Sequence, residues 1–161
     1  MIEMEVYTVS FFGHRRLYDS IRIEERLEQY VRELLQTKQY VEFLVGKDGD
    51  FDVLVASVIH RCKHLYRSDN SSLVLVLPYM RADFRENEES YRDYFDEIEV
   101  FPDTHYKSAF QERNRAMVDR ADLVFFAVNR TEGGAYSTMK YAIAQGVSII
   151  NLYNDLEERY R

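Results

Sequence analysis

Two segments, Leu73-Val74-Leu75-Val76-Leu77 and Leu123-Val124-Phe125-Phe126-Ala127-Val128, are unbroken apolar runs too short for ordinary buried helices. Strands covered on both faces read this way, and such strands belong to parallel sheets with helices on each side. The intervals between such runs carry helical patterns. Within Ser20 to Gln36, Leu27, Tyr30, Val31, Leu34 and Leu35 recur at helical spacing. Phe51, Leu54, Val55, Val58, Ile59, Cys62 and Leu65 form a second stripe, with Asp50 expected as its N-cap.

Tyr7 to Phe12, Val41 to Val45 and Val147 to Leu152 read as further strands. Ser108 to Arg120 and Ala135 to Gln145 read as further helices, the last closed by a left-handed Gly146. Tyr79 to Lys107 is the least regular stretch, with a short helix expected around Ser90 to Phe95 and a short strand near Ile98 to Phe101. The final residues read as a polar tail. This alternation predicts crossover units, hence an α/β fold: a single-domain, Rossmann-like three-layer sandwich with a mostly parallel sheet, spanning residues 1–161.

The chain has six glycines, and their placement is informative. Gly13, Gly46 and Gly133-Gly134 each follow an expected strand, and Gly49 precedes an expected helix. Loops at the carboxyl ends of strands form the ligand crevice of a doubly wound sheet. Glycine there lets backbone N–H groups approach a ligand, and the next helix N-terminus favours an anion. Tight turns also need glycine.

Charge narrows the partner classes. Lys plus Arg number 21 against 28 Asp plus Glu, a net charge of −7. A broad nucleic-acid or membrane footprint needs clustered positive charge, so nucleic acid is not the expected partner. Arg81 to Glu99 alone carries eight acids against three arginines, leaving the rest of the chain nearly balanced. The single cysteine, Cys62, rules out an intramolecular disulfide. Met1-Ile2-Glu3-Met4-Glu5 lacks the pattern of a signal peptide, and no apolar run approaches the roughly 20 residues of a membrane span. A cytoplasmic protein is expected.

Four segments carry candidate site residues. In Ser10-Phe11-Phe12-Gly13-His14-Arg15-Arg16, His14 and Arg15 are expected at the crevice mouth, with Arg15 able to grip phosphate in bidentate fashion. In Gly46-Lys47-Asp48-Gly49-Asp50-Phe51-Asp52, Asp50 and Asp52 are suited to capping a helix or accepting ribose hydroxyls. In Arg113-Asn114-Arg115-Ala116-Met117, Arg113 and Met117 share a helix face. Thr131-Glu132-Gly133-Gly134-Ala135-Tyr136-Ser137-Thr138 joins a buried strand to a helix, the setting of an anion-binding turn, with Ser137 and Thr138 adding hydroxyls. His60 and His64 share a helix face without an evident third ligand, so no metal is expected, and no cofactor either.

These elements resemble the SLOG superfamily, the Rossmann-like fold of DNA-processing protein A and the Lonely Guy phosphoribohydrolases. The most specific part is Arg113-Asn114-Arg115, Asp122-Leu123-Val124, Gly133-Gly134, Ser137-Thr138, Ala142 and Gly146, in the family's order. Val9 to Arg15 and Gly46 to Asp52 are similar to a subgroup of short, uncharacterised bacterial members. The resemblance implies a nucleotide-derived ligand, with Arg113 and the Gly133-Gly134 turn on phosphate. In the phosphoribohydrolases a third glycine and an essential glutamate follow this turn; here those positions hold Tyr136 and Lys140. A lysine cannot stabilise a cationic sugar centre as a carboxylate does.

Three functions are therefore weighed. The first is a sensor or sequestering module for AMP or an ADP-ribose-like ligand, held by Gly13, His14, Arg15, Gly46, Asp50, Asp52, Arg113, Asn114, Arg115, Gly133, Gly134, Ser137 and Thr138. The second is a nucleotide hydrolase with Glu132 as catalytic carboxylate. The third is a protein-interaction module using the acidic 81–99 segment. A homodimer is expected, since aromatic residues crowd the helices.

Overall fold

A computed structural model of the chain describes residues 3–101 and 108–159. Met1 and Ile2 of the expected leaderless N-terminus, 102–107 of the irregular stretch, and Tyr160 and Arg161 of the tail lie outside the described residues.

The elements run β1 (Val6–Gly13), α1 (Ser20–Thr37), β2 (Tyr40–Val45), α2 (Asp50–Leu65), β3 (Ser71–Leu77), α3 (Ala82–Glu86), α4 (Glu88–Tyr94), β4 (Glu97–Val100), α5 (Ala109–Arg120), β5 (Leu123–Ala127), α6 (Gly134–Gln145), β6 (Ser148–Asn151) and α7 (Leu152–Arg159). The six strands form one sheet in the order β4-β3-β2-β1-β5-β6, and every pairing is parallel. The Rossmann-like three-layer expectation holds. From β1 the chain winds outward through β2, β3 and β4, then crosses to β5 on β1's other side. The carboxyl ends of β1 and β5 therefore flank the switch point where such sheets bind ligands.

Side-chain alternation sorts the strands into two cores. Val9, Phe11, Phe43, Val45, Leu73, Leu75, Leu77, Phe125 and Ala127 face α1, α2 and α7. Phe12, Leu44, Val74, Val76, Val124 and Phe126 face Met117 and Val118 of α5 and Ala142 of α6. Phe11 stacks on Phe125 at 5.5 Å, knitting the central pair. Gly146 closes α6 in the left-handed conformation, φ 75°, as its sequence position predicts.

Three local expectations change. The tail is not free: Leu152, Tyr153 and Leu156 of α7 are buried in the first core. Asp50 is not the N-cap of α2; Gly49 occupies that position. The irregular stretch holds the short helix expected around Ser90 to Phe95, as α4, and the strand expected near Ile98, as β4, but also an unexpected helix, α3, held by the packing of Phe84 against Tyr91.

Part of the acidic segment is engaged with its own chain. Asp83 accepts Lys47 Nζ at 2.5 Å, Asp96 accepts Lys63 Nζ at 2.8 Å, and Glu99 accepts Arg120 at 2.6 Å. Much of the aromatic surface that suggested a second copy is likewise covered within the chain, since Phe51, Phe84, Phe95 and Tyr153 are buried. His60 donates from Nε2 to the Tyr94 carbonyl at 2.7 Å, which fastens α2 to α4. No helix among the described residues is long and apolar enough to cross a membrane.

Candidate functional site

Sequence places Gly13 where β1 ends, and packing explains why only glycine serves. A Cβ there would lie 2.6 Å from the ring of Phe51 in the first turn of α2. That close approach lets the β1–α1 loop pass over α2. Asp50 then fixes the loop: its backbone N–H donates to the Arg15 carbonyl at 2.8 Å, and its carboxylate accepts the Leu17 N–H at 3.1 Å. On the opposite side, Asn151 holds the start of the β5–α6 loop. Its side chain accepts the Val128 N–H at 3.2 Å and donates to the Val128 carbonyl at 2.8 Å.

Between these loops lies a cavity of about 390 Å³ at the carboxyl ends of β1, β2 and β5. Gly13, His14, Arg15, Gly46, Asp52, Arg113, Asn114, Gly133 and Gly134, all expected from sequence, line it. Asp48, Gly49, Phe110, Met117 and Arg130 line it as well and were not expected. Arg130 carries no sequence signal, being one cation in a polar loop. Phe110 reads as core, yet its ring lies at the wall with the Arg113 guanidinium 5.3 Å from its centre.

The other expected residues lie off this wall. Asp50 serves the loop as described. Arg115 stacks over Tyr141 at 5.0 Å. Thr138 donates to the Gly134 carbonyl at 2.8 Å and accepts from Asn114 at 3.2 Å, joining α5 to α6. Ser137 and Glu132 are exposed and do not line the cavity.

The polar groups of the cavity sit in a defined field. Arg113 is buried, donates from Nη1 to the Val76 carbonyl at 3.1 Å and from Nε to Asn114 at 3.0 Å. Burial lowers its pKa and Asp52 and Asp48 oppose that, but a guanidinium stays charged at any working pH. Asp52 is pushed up to about 6 by burial, against Arg113 and the Asp48 N–H bonded to it at 3.0 Å. Asp48 Oδ1 accepts Arg81 at 2.6 Å, while its buried Oδ2 has no protein partner. Burial lowers the pKa of His14, Arg130 lowers it further, and Glu132 opposes them. His14 Nε2 is also buried without a protein partner.

The α6 N-terminus opens onto this field. Gly133 takes φ 93°, which a side chain would strain, and so turns the chain into α6 at the cavity edge. Backbone N–H groups at such a terminus favour an anion. Beyond the wall formed by Gly46 and Asp52, a second cavity of about 520 Å³ lies between α2 and α4, lined largely by Tyr91, Tyr94, Phe95, Val53 and Ala56.

Fold and site together define a Rossmann-like, all-parallel α/β protein with its crevice at the switch point. Among solved structures, the chain is similar to DNA processing protein A (DprA) from Streptococcus pneumoniae, with TM-score 0.65 and 15% identity over 91% of this chain and 50% of that one. It is also similar to DNA processing protein A from Helicobacter pylori, a structure described by its single-stranded DNA binding mode, with TM-score 0.63 and 14% identity over 95% of this chain and 72% of that one. The chain thus spans about half the length of the S. pneumoniae protein. It matches no family model and no curated protein.

At these identities the likeness shows the fold alone, a Rossmann-like α/β fold shared with DprA. It also corrects two expectations. Small-molecule nucleotide binding, with its hydrolase and interaction-module alternatives, is not what these neighbours point to, and nucleic acid cannot be set aside on net charge. The H. pylori protein on this fold is described by its binding of single-stranded DNA. Most of the net negative charge comes from the one 81–99 segment, so the whole-chain value is a poor guide to one crevice.

Proposed function

We propose that this chain binds single-stranded nucleic acid at the carboxyl edge of its sheet. The observation that carries the reading is the grouping of Arg15, Arg113 and Arg130 around a cavity edged by the Gly133-Gly134 turn. A backbone phosphate lies at the α6 N-terminus, held by the turn's N–H groups and by Arg15 and Arg130. Arg113, fixed by Val76 and Asn114, supplies the interior charge, and Phe110 offers a face on which a base stacks. Gly13, Gly46, Asp52 and Asn114 shape the walls. The single-stranded DNA binding for which the H. pylori protein is described supports this reading.

The same reading treats residues 1–161 as one SLOG-like domain of the short bacterial subgroup, working in the cytoplasm. Cys62, free and buried, suits a reducing compartment.

Fluorescence anisotropy with a labelled 20-nucleotide single strand, a matched duplex and a salt series tests the proposal. Binding of the single strand in preference to the duplex is expected, with affinity falling as salt rises. Arg15→Ala and Arg130→Ala should each reduce the slope of log affinity against log salt by about 1. An unchanged anisotropy at low salt would remove the reading.

A further inference from the structure

The second cavity, about 520 Å³ between α2 and α4, has no part in the reading above. Its apolar lining is Val53 and Ala56 of α2 with Tyr91, Tyr94 and Phe95 of the α4 segment. Lys47, the cation among its lining residues, is already bonded to Asp83, so the cavity is not built to hold a phosphate. Tyr94 is 42% exposed and Val53 65%, which leaves an apolar wall open to solvent. The Tyr94 ring is nevertheless held in place. It lies 4.2 Å from the His60 ring and meets Phe95 edge-on at 5.0 Å. An exposed ring already fixed by its neighbours stacks on a partner with little further loss of freedom.

We propose that this cavity receives an unpaired base of the strand whose backbone lies in the neighbouring crevice, with the Tyr94 ring as its stacking face. This rests on the reading that the crevice binds a strand. Gly46 and Asp52 line both cavities, so the two adjoin. Their shared wall is close-packed: a Cβ on Gly46 would lie 3.0 Å from Asp52 Oδ2 and 3.2 Å from Arg113 Nη1. A base hangs from its backbone by one sugar, so a strand held in the crevice carries bases to the cavity next door. The chemistry matches as well. A base is uncharged and flat, apolar on its faces, with hydrogen-bonding groups confined to its edge. The rings supply faces, while Asn87 and Ser90 bring an amide and a hydroxyl to the lining. The volume falls within the range of small-ligand sites. Stacking of this kind tolerates any base, because every base has a π-face. A duplex keeps its bases paired and stacked, so the cavity gives a physical reason for preferring single strands.

The experiment compares two labelled 12-nucleotide strands, an oligothymidylate and a strand of the same length that is abasic throughout. Both carry the same phosphates, so the electrostatic part of binding is common to them. Each is titrated with the wild-type chain, Tyr94→Leu and Tyr94→Phe, after thermal unfolding shows that each variant folds. The wild type is expected to bind the oligothymidylate at least about tenfold tighter than the abasic strand, the scale of a stacked base. Tyr94→Leu should shrink that ratio by about fivefold with abasic binding unchanged, and Tyr94→Phe, which keeps the ring, should retain it. Equal wild-type binding of the two strands would overturn this inference and leave strand binding standing. No binding of either strand would remove both. An undiminished ratio in a folded Tyr94→Leu would overturn the inference by placing the base elsewhere. An equal loss on both strands would overturn it too, since Tyr94 would then support the crevice rather than a base.

Discussion

Gly13 and Phe51 fit together only because Gly13 has no Cβ: that atom would lie 2.6 Å from the Phe51 ring. Both are part of a buried backbone-to-ring contact, so a methyl group there has nowhere to go. Gly13→Ala is expected to cost about 1–3 kcal/mol, the range for overpacking a filled core. At this chain length, thermal unfolding should fall by about 2–4 °C per kcal/mol. Phe51→Leu makes room, so the double variant should lose less than the two single losses added together. Additive losses would mean that the contact is not what requires glycine.

Asp52 gives a pH dependence of definite sign. Its pKa in the folded chain is about 6, above its ordinary 3.8, chiefly through burial. Between those values the folded state holds a proton that the unfolded state has released. Its contribution to stability therefore declines as pH rises from about 4 to 6 and stays lost above. Urea unfolding of wild type and Asp52→Asn at pH 4.5, 5.5, 6.5 and 7.5 isolates this group. The wild type should lose about 2–3 kcal/mol relative to the variant across the window, given about 1.4 kcal/mol per pKa unit. Parallel curves would show that Asp52 titrates normally.

Asp96 works in the opposite sense. Its carboxylate accepts the Leu73 N–H at 2.7 Å and Lys63 Nζ at 2.8 Å. Burial works against its charge, but these two bonds outweigh it and lower its pKa. Its stabilisation is present above the ordinary carboxylate pKa and is lost as pH falls through the depressed one. Asp96→Ala leaves the Leu73 N–H, inside a parallel sheet, without its partner, and should cost about 1–3 kcal/mol at pH 7 by urea midpoint. Asp96→Asn retains an acceptor and should cost less.

What the sequence made legible follows from which forces are local. Leu73 to Leu77 and Leu123 to Val128 announced buried parallel strands because burial on both faces removes polar residues altogether. Gly13 and Gly133 announced the loops because backbone geometry and close approach are written in the residue type. The helices α3 and α7 were not legible, since contacts of Phe84, Tyr153 and Leu156 with distant residues stabilise them. In the site, Arg130 and Asp48 become cavity residues only when their loops converge on the switch point. Asp50 was misread for a related reason. A carboxylate beside a helix start suggests a cap, but its nearest unpaired donor here is an N–H of the β1–α1 loop, 33 residues earlier in the chain.

That arrangement makes Asp50 a positioning residue, and it separates loop order from ligand contact. Asp50 does not line the cavity, yet it fastens the loop that carries His14 and Arg15 through the Leu17 N–H. Asp50→Ala removes an exposed hydrogen bond to a charged acceptor, so global stability should fall by only about 1 kcal/mol or less. The loop should nevertheless loosen, and hydrogen exchange of the Leu17 amide should quicken at least tenfold relative to the β1 amides. Strand binding should weaken several-fold with the salt slope unchanged, because no phosphate-contacting cation is lost. Arg15→Ala should show the reverse pattern, a reduced slope with the Leu17 amide still protected. Exchange at Leu17 that is unaltered in Asp50→Ala would show that the loop is held by the Asp50 N–H bond to Arg15 alone.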